Sequence, residues 1–218
     1  MTRKVPQFRT RPKVCHDANM TTPVTSIPQN DSERWVLLRT AHREYHATVS
    51  PEYDEALYEV AQRFTTNQSI GKVEIGGLLL WKRIQANTSW AMDLMNVSDK
   101  QVREQTHNAY LAANDVDLSV TEAARAARSA LGSLPGFNTG DALASAVLLA
   151  AAPQRLAVYD SRAHRALNGL GLELRSGKGR YSRYMTCVEQ LRELARANGE
   201  SWAARDVDLA LYRLGKNR

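Results

Sequence analysis

Helix-start signals recur along this chain while period-2 alternation is nearly absent, and this contrast constrains the fold more than any other feature. Ser50-Pro51-Glu52 offers an N-cap, a proline at the first helical position and an acid in the first turn. Ala56, Leu57, Val60, Ala61 and Phe64 follow at helical spacing. Ser98-Asp99-Lys100-Gln101 and Ser119-Val120-Thr121-Glu122 have the spacing of a capping box, in which serine and the acid or amide three residues later satisfy each other's backbone N–H. The pattern predicts further helices over Lys72 to Ile84, Tyr184 to Ala197 and Asp206 to Leu214. The expected class is all-α.

With 43% hydrophobic and 24% charged residues in 218, the chain can bury a sizeable core, which excludes a disordered polymer. Basic residues outnumber acidic ones, 29 to 23, so polyanions are the first partners to consider. Cys15 and Cys187 cannot form a disulfide framework or a four-thiolate metal site. The N-terminus, Met1 to Lys4, is basic but runs into Val5-Pro6-Gln7 instead of an apolar stretch, which argues against a secretory signal. The apolar run Ala142 to Ala152 is too short to span a bilayer. A cytoplasmic protein with no membrane partner is expected. Residues 1–30, with Pro6, Pro23, Pro28 and the cations Arg3, Lys4, Arg9, Arg11 and Lys13, read as a flexible basic arm.

The segment Leu131-Gly132-Ser133-Leu134-Pro135-Gly136-Phe137-Asn138-Thr139-Gly140 separates two alanine-rich helical stretches, Ser119 to Ser133 and Asp141 to Ala152. Pro135 and Gly136 break the first helix, Asn138 and Gly140 tolerate left-handed backbone angles, and Asp141 can cap the second. Successive N–H groups beside a helix N-terminus form an anion site, and phosphate is the natural ligand.

This arrangement resembles the helix-hairpin-helix of the base-excision DNA glycosylase superfamily, to which 8-oxoguanine DNA glycosylase and endonuclease III-like enzymes belong. Leu134-Pro135-Gly136-Phe137 matches the start of the family signature, and Asn138 stands where a second glycine is usual. Downstream, Asp160 ends the apolar stretch Leu156-Ala157-Val158-Tyr159 and opens a basic helical segment, as the family's catalytic aspartate does. The resemblance is strongest over Leu134 to Leu170 and extends weakly from Ile70 to Leu214.

Its implications are specific. The domain at 31–218 would have two helical lobes, 31–69 plus 161–218 and 70–160, with a DNA-binding cleft between them. A monomer would bind double-stranded DNA through Leu134, Gly136, Phe137, Asn138, Thr139 and Gly140 with Arg162, Arg165, Lys178 and Arg180, and turn one nucleotide out of the stack. Asp160 would stabilise the positive charge that grows on the deoxyribose as the base leaves, kept ionised by its helix N-terminus and by Arg162 or Arg165. Family members that also nick DNA carry a lysine just after the hairpin. That place falls at Gly140, which implies a monofunctional enzyme unless Lys82 or Lys178 enters from elsewhere. Cys187 alone excludes the C-terminal iron–sulfur cluster of some branches. No cofactor is expected beyond a monovalent cation on the hairpin carbonyls of Leu134 and Phe137.

Trp81 and Lys82 occupy the chain position where family members line the base pocket, although Trp81 at helical spacing from Leu78 reads more readily as core. His164, one turn after Asp160, is a candidate to orient its carboxylate. His42 and His46 are spaced i, i+4 but lack a third ligand nearby in sequence, so no metal is expected. Arg175, Lys178, Arg180 and Arg183, interleaved with Tyr181 and Tyr184, form a basic loop able to grip phosphates. The excised base would be damaged, in repair, or modified, in defence against phage DNA. Two rivals stand beside the glycosylase: a helix-hairpin-helix DNA-binding protein without catalysis, and a helical interaction domain in which Leu134 to Gly140 is only a turn.

Overall fold

The structure is a computed structural model that describes residues 27–86, 88–138 and 140–216. Most of the expected basic arm, up to residue 26, and Thr139 lie outside the described residues. Within them the chain is helical and contains no strand, in agreement with the expected class. In order the helices are α1 (Asp31–Thr48), α2 (Glu55–Asn67), α3 (Lys72–Lys82), α4 (Ser89–Asn96), α5 (Asp99–Asn114), α6 (Val120–Ala130), α7 (Ala142–Ala151), α8 (Ser161–Gly169), α9 (Arg180–Ala197) and α10 (Ala204–Leu214). No helix among the described residues is long and apolar enough to cross a membrane.

The serine caps work as the spacing predicts at two of three places. Ser98 accepts from the Gln101 amide and Ser119 from the Glu122 amide, and Glu122 returns a bond to the Ser119 N–H. Ser50 makes no such bond. Pro51–Asp54 form a 3-10 turn there, and the α-helix starts only at Glu55. The sequence reading passed over two helices. In α1, Asn30 accepts from the Glu33 amide at 2.9 Å, while α4 is a short helix whose Trp90 packs on the turn after α6.

Helix α7 is the axis of the fold. Every residue from Leu143 to Ala151 is buried, as expected of a helix apolar on all sides. Helices α2, α3, α5 and α6 pack around it. On the other side α10 lies against α1, α8 and α9, and α9 also meets α6. Helix α2, grouped with the C-terminal helices by the lobe division above, packs on α3 and α7 instead, with Leu57, Val60 and Phe64 as its buried residues.

Between α7 and α8 the chain runs extended through Leu156-Ala157-Val158-Tyr159, buried and without a strand partner. Its backbone groups are satisfied by side chains, as burial requires. Ser145 Oγ accepts the Tyr159 N–H at 3.0 Å, the Tyr181 hydroxyl donates to the Ala157 carbonyl at 3.0 Å, and the Tyr184 hydroxyl donates to the Val158 carbonyl at 2.9 Å. These bonds fix where Asp160 emerges.

Candidate functional site

Asp160 is the N-cap of α8. One carboxylate oxygen, Oδ1, accepts the Arg162 and Ala163 amides at 2.9 and 2.8 Å, satisfying two of the donors a helix start leaves open. The other, Oδ2, accepts from Lys82 Nζ at 2.7 Å, and the Asp160 and Lys82 side chains are shielded, 17% and 15% exposed. Burial pushes the Asp160 carboxyl up, but the Lys82 ammonium and the two helix amides outweigh it. The group sits below the ordinary carboxylate range and is ionised at neutral pH.

The pair stands in a cavity of about 560 Å³, within the roughly 300–1,000 Å³ typical of small-molecule sites. Tyr45, Tyr53, Trp81, Tyr159 and Tyr212 supply aromatic walls. Lys82, Arg83, Arg162, Arg180 and Arg205 line it together with Asp141, Asp160 and Asp208. Arg205 is the partly buried anchor. It donates to Asp54 Oδ2 at 2.7 Å and to Asp208 Oδ2, and its guanidinium lies 5.3 Å from the centre of the Trp81 ring. Burial raises the Asp208 carboxyl above its ordinary value despite the opposing pull of Arg205.

The expected site residues divide. Asp160, Lys82, Trp81, Arg162, Arg180 and Gly140 share the cavity. Trp81 is mostly core: it is 7% exposed and its indole N–H is spent on Asp54 Oδ1 at 2.9 Å. Arg162 stacks over Tyr212 at 4.6 Å, and Arg165 donates to the Gly215 carbonyl at 3.0 Å. Neither bonds to the Asp160 carboxylate through its side chain; Lys82 takes that role, since the last turn of α3 faces the start of α8. His164 pairs with the Tyr159 hydroxyl at 3.1 Å and does not line the cavity.

Leu134 and Phe137 are fully buried, so their side chains belong to the core, and the Leu134 carbonyl accepts the Phe137 amide at 3.1 Å. Gly136 has φ +85°, and a Cβ there would overlap the Trp90 ring, so both backbone and packing demand glycine. Asp141 precedes α7, but its side chain makes no capping bond. Arg128 Nε at 3.0 Å and Arg180 Nε at 2.8 Å hold its two oxygens.

Beside this turn lies a second, basic groove of about 860 Å³, lined by Arg125, Arg128, Asn138, Lys178, Arg180 and Arg183 among others. The glycine-rich loop between α8 and α9 folds its carbonyls onto one of these. Arg183 donates to those of Arg175, Ser176 and Lys178 at 2.9 to 3.1 Å, leaving Lys178 itself exposed.

The sequence reading missed Arg205, Asp54, Asp208 and the tyrosines. One signal was present: Asp208 sits within the apolar run Val207 to Leu211, where an acid is expensive unless paired. Comparison with family models, with curated proteins and with solved structures gives no match.

Proposed function

We propose that this protein is a DNA glycosylase of the helix-hairpin-helix kind, hydrolysing the N-glycosidic bond of a base turned out of the duplex. The observation that carries the reading is the Asp160 carboxylate. It is shielded yet ionised, held by two amides on one oxygen and aimed into an aromatic-walled cavity by the other. Removing a base from deoxyribose builds positive charge on the sugar, and a fixed anion in a poorly hydrated site stabilises that charge without reorganising. The tyrosine walls suit a flat heterocycle. The groove beside the Leu134–Gly140 turn offers cations where the phosphates flanking that nucleotide would lie, giving salt-dependent, sequence-independent affinity.

In this mechanism Asp160 stabilises the sugar cation and orients the attacking water, and Lys82 holds the carboxylate in its charged form. Arg162 and Arg180, which line the cavity, meet the DNA backbone. Wild type and Asp160→Asn are compared on duplexes carrying oxidised, alkylated or hypermodified bases, with each product probed for abasic sites by alkali cleavage. Breaks with wild type alone support the reading. Salt-sensitive duplex binding with no breaks from either protein supports the non-catalytic DNA-binding module, and absence of duplex binding supports the interaction domain.

One observation favours a second form of the same activity. The amine missing at Gly140 is present in space as Lys82 Nζ, 2.7 Å from Asp160. If its proton passes by way of the carboxylate to the departing base, the freed amine bonds to the sugar carbon as the N-glycosidic bond breaks; opening of the sugar ring then gives a Schiff base, and elimination of the 3′-phosphate cleaves the strand in place of simple hydrolysis. Borohydride would then trap a protein–DNA adduct with wild type and not with Lys82→Gln.

A further inference from the structure

Away from the cavity, three ligand-type atoms converge where α1 crosses α10. His42 and His46 lie one turn apart on α1 and project from one face, and Asp206 stands in the first turn of α10. His42 Nε2 is 3.2 Å from His46 Nε2 and 3.2 Å from Asp206 Oδ1, and the three atoms lie within 4.8 Å of one another.

Hydrogen bonds between neutral imidazoles do not satisfy this cluster. A neutral ring has one N–H, so His42 Nε2 is either donor or acceptor. If it donates to Asp206, its single proton faces two acceptors, or another N–H from His46. If it accepts from His46, its lone pair points at a carboxylate. A cation at the centre engages all three lone pairs at once. The two distances that His42 makes agree with such a site: with metal–ligand bonds of about 2.0–2.1 Å, neighbouring donors around a tetrahedral zinc stand about 3.3 Å apart, and the His46–Asp206 pair lies within 4.8 Å.

The donors are also held from behind. Asp206 Oδ2 accepts the Ala203 amide at 2.8 Å, and the His42 ring packs on Trp202 with centroids 4.7 Å apart. Such outer contacts orient the ligands of a metal site. His46 is exposed, so a fourth position opens to water.

We propose that His42, His46 and Asp206 bind a divalent transition metal, Zn²⁺ by their donor set, which clips α1 to α10. Two imidazoles and one carboxylate are a poor set for Mg²⁺ or Ca²⁺, which take oxygen. The clip is structural: Asp206 does not line the cavity, while its neighbours Arg205 and Asp208 do. The metal therefore pins the helix that delivers them. The short sequence window around His42 and His46 hid the third ligand, which the fold returns from 164 residues away. This site does not depend on the glycosylase reading.

Tag-free full-length protein, stripped with chelator, is titrated calorimetrically with Zn²⁺. Its melting temperature is followed with and without the metal, and Co²⁺ is added as a spectroscopic probe. One equivalent of Zn²⁺ should bind and raise the melting temperature, Co²⁺ should show the intense absorption of tetrahedral coordination, and Mg²⁺ should do neither. His46→Ala and Asp206→Asn should each weaken Zn²⁺ binding by about tenfold or more and abolish the thermal shift. His46 is exposed, and the side-chain oxygen that Asp206→Asn retains can still accept the Ala203 amide, so unchanged melting of the metal-free variants confirms their folding. Wild type without Zn²⁺ uptake, or uptake unaffected by both substitutions, overturns the proposal.

Discussion

The starts of α7 and α8 each carry an aspartate, and the two have opposite arrangements. Asp160 spends one oxygen on the amides of its own helix and presents the other to Lys82 in the cavity. Asp141 makes no side-chain cap, and both its oxygens are taken by Arg128 and Arg180 from neighbouring helices. Both residues line the same cavity. The difference teaches that an aspartate before a helix has no role until its oxygens are accounted for. One held by its own backbone turns its second oxygen to a lysine in the cavity, where the proposed chemistry would use it, and one clamped by two guanidinium groups is a fastener.

Substitutions at the two helix starts should therefore separate. The largest effect is expected from Asp160→Asn, which keeps an oxygen for the helix amides and removes the charge. Single-turnover base release should fall by roughly 10³-fold, about 4 kcal/mol of transition-state stabilisation, and stability should fall less than in Asp141→Ala, since asparagine still caps the helix while the shielded Lys82 ammonium loses its anion. Asp141→Ala should do the reverse. It leaves two partly buried guanidinium groups without their anion and should cost about 3 kcal/mol of stability in denaturant titration, while activity per folded molecule falls far less than in Asp160→Asn.

The contrast was only half visible in the chain. The caps at Ser98 and Ser119 and the positive φ of Gly136 follow local rules, satisfied within a few residues, and the apolar run of α7 is legible as a buried helix from its residues alone. In α1, Asn30 and Glu33 carry a capping signal and Trp35, Leu38, Ala41 and Tyr45 lie at helical spacing, but the polar residues that make up most of this helix dilute the pattern. Asp160 could be singled out by position, but its partner Lys82 is 78 residues away. The Asp54–Arg205–Asp208 cluster joins opposite ends of the chain. No local window contains the Asp160–Lys82 or Asp54–Arg205 pairing.

Two smaller effects sharpen the same comparison. Gly136→Ala strains the turn before Asp141, through its positive φ and the Trp90 ring, and should cost about 2 kcal/mol. Ser145→Ala strips the buried Tyr159 N–H of its acceptor just before Asp160. It should cost about 1–2 kcal/mol and lower base release beyond what the lost stability explains, which Gly136→Ala should not.

The smallest effect is a matter of pH. Because the Asp160 carboxyl lies below its ordinary range in the folded protein, its favourable interactions stabilise the fold above the unfolded-state pKa and are lost as pH falls through the folded one. Lys82→Met removes the main opposing influence to burial, so the acid limbs of both stability and activity should move to higher pH. An acid limb that stays in place would mean that Lys82 does not set the charge of Asp160.

Mass spectrometry of the free bases released from oxidised, alkylated and phage-modified duplex DNA tests the central claim most directly. A single class of base should appear in the supernatant with wild type and vanish with Asp160→Asn, while Asp141→Asn, corrected for its folded fraction, still releases it. Release that survives loss of the Asp160 charge, or no release from any of the three DNAs by folded wild type, would contradict the account.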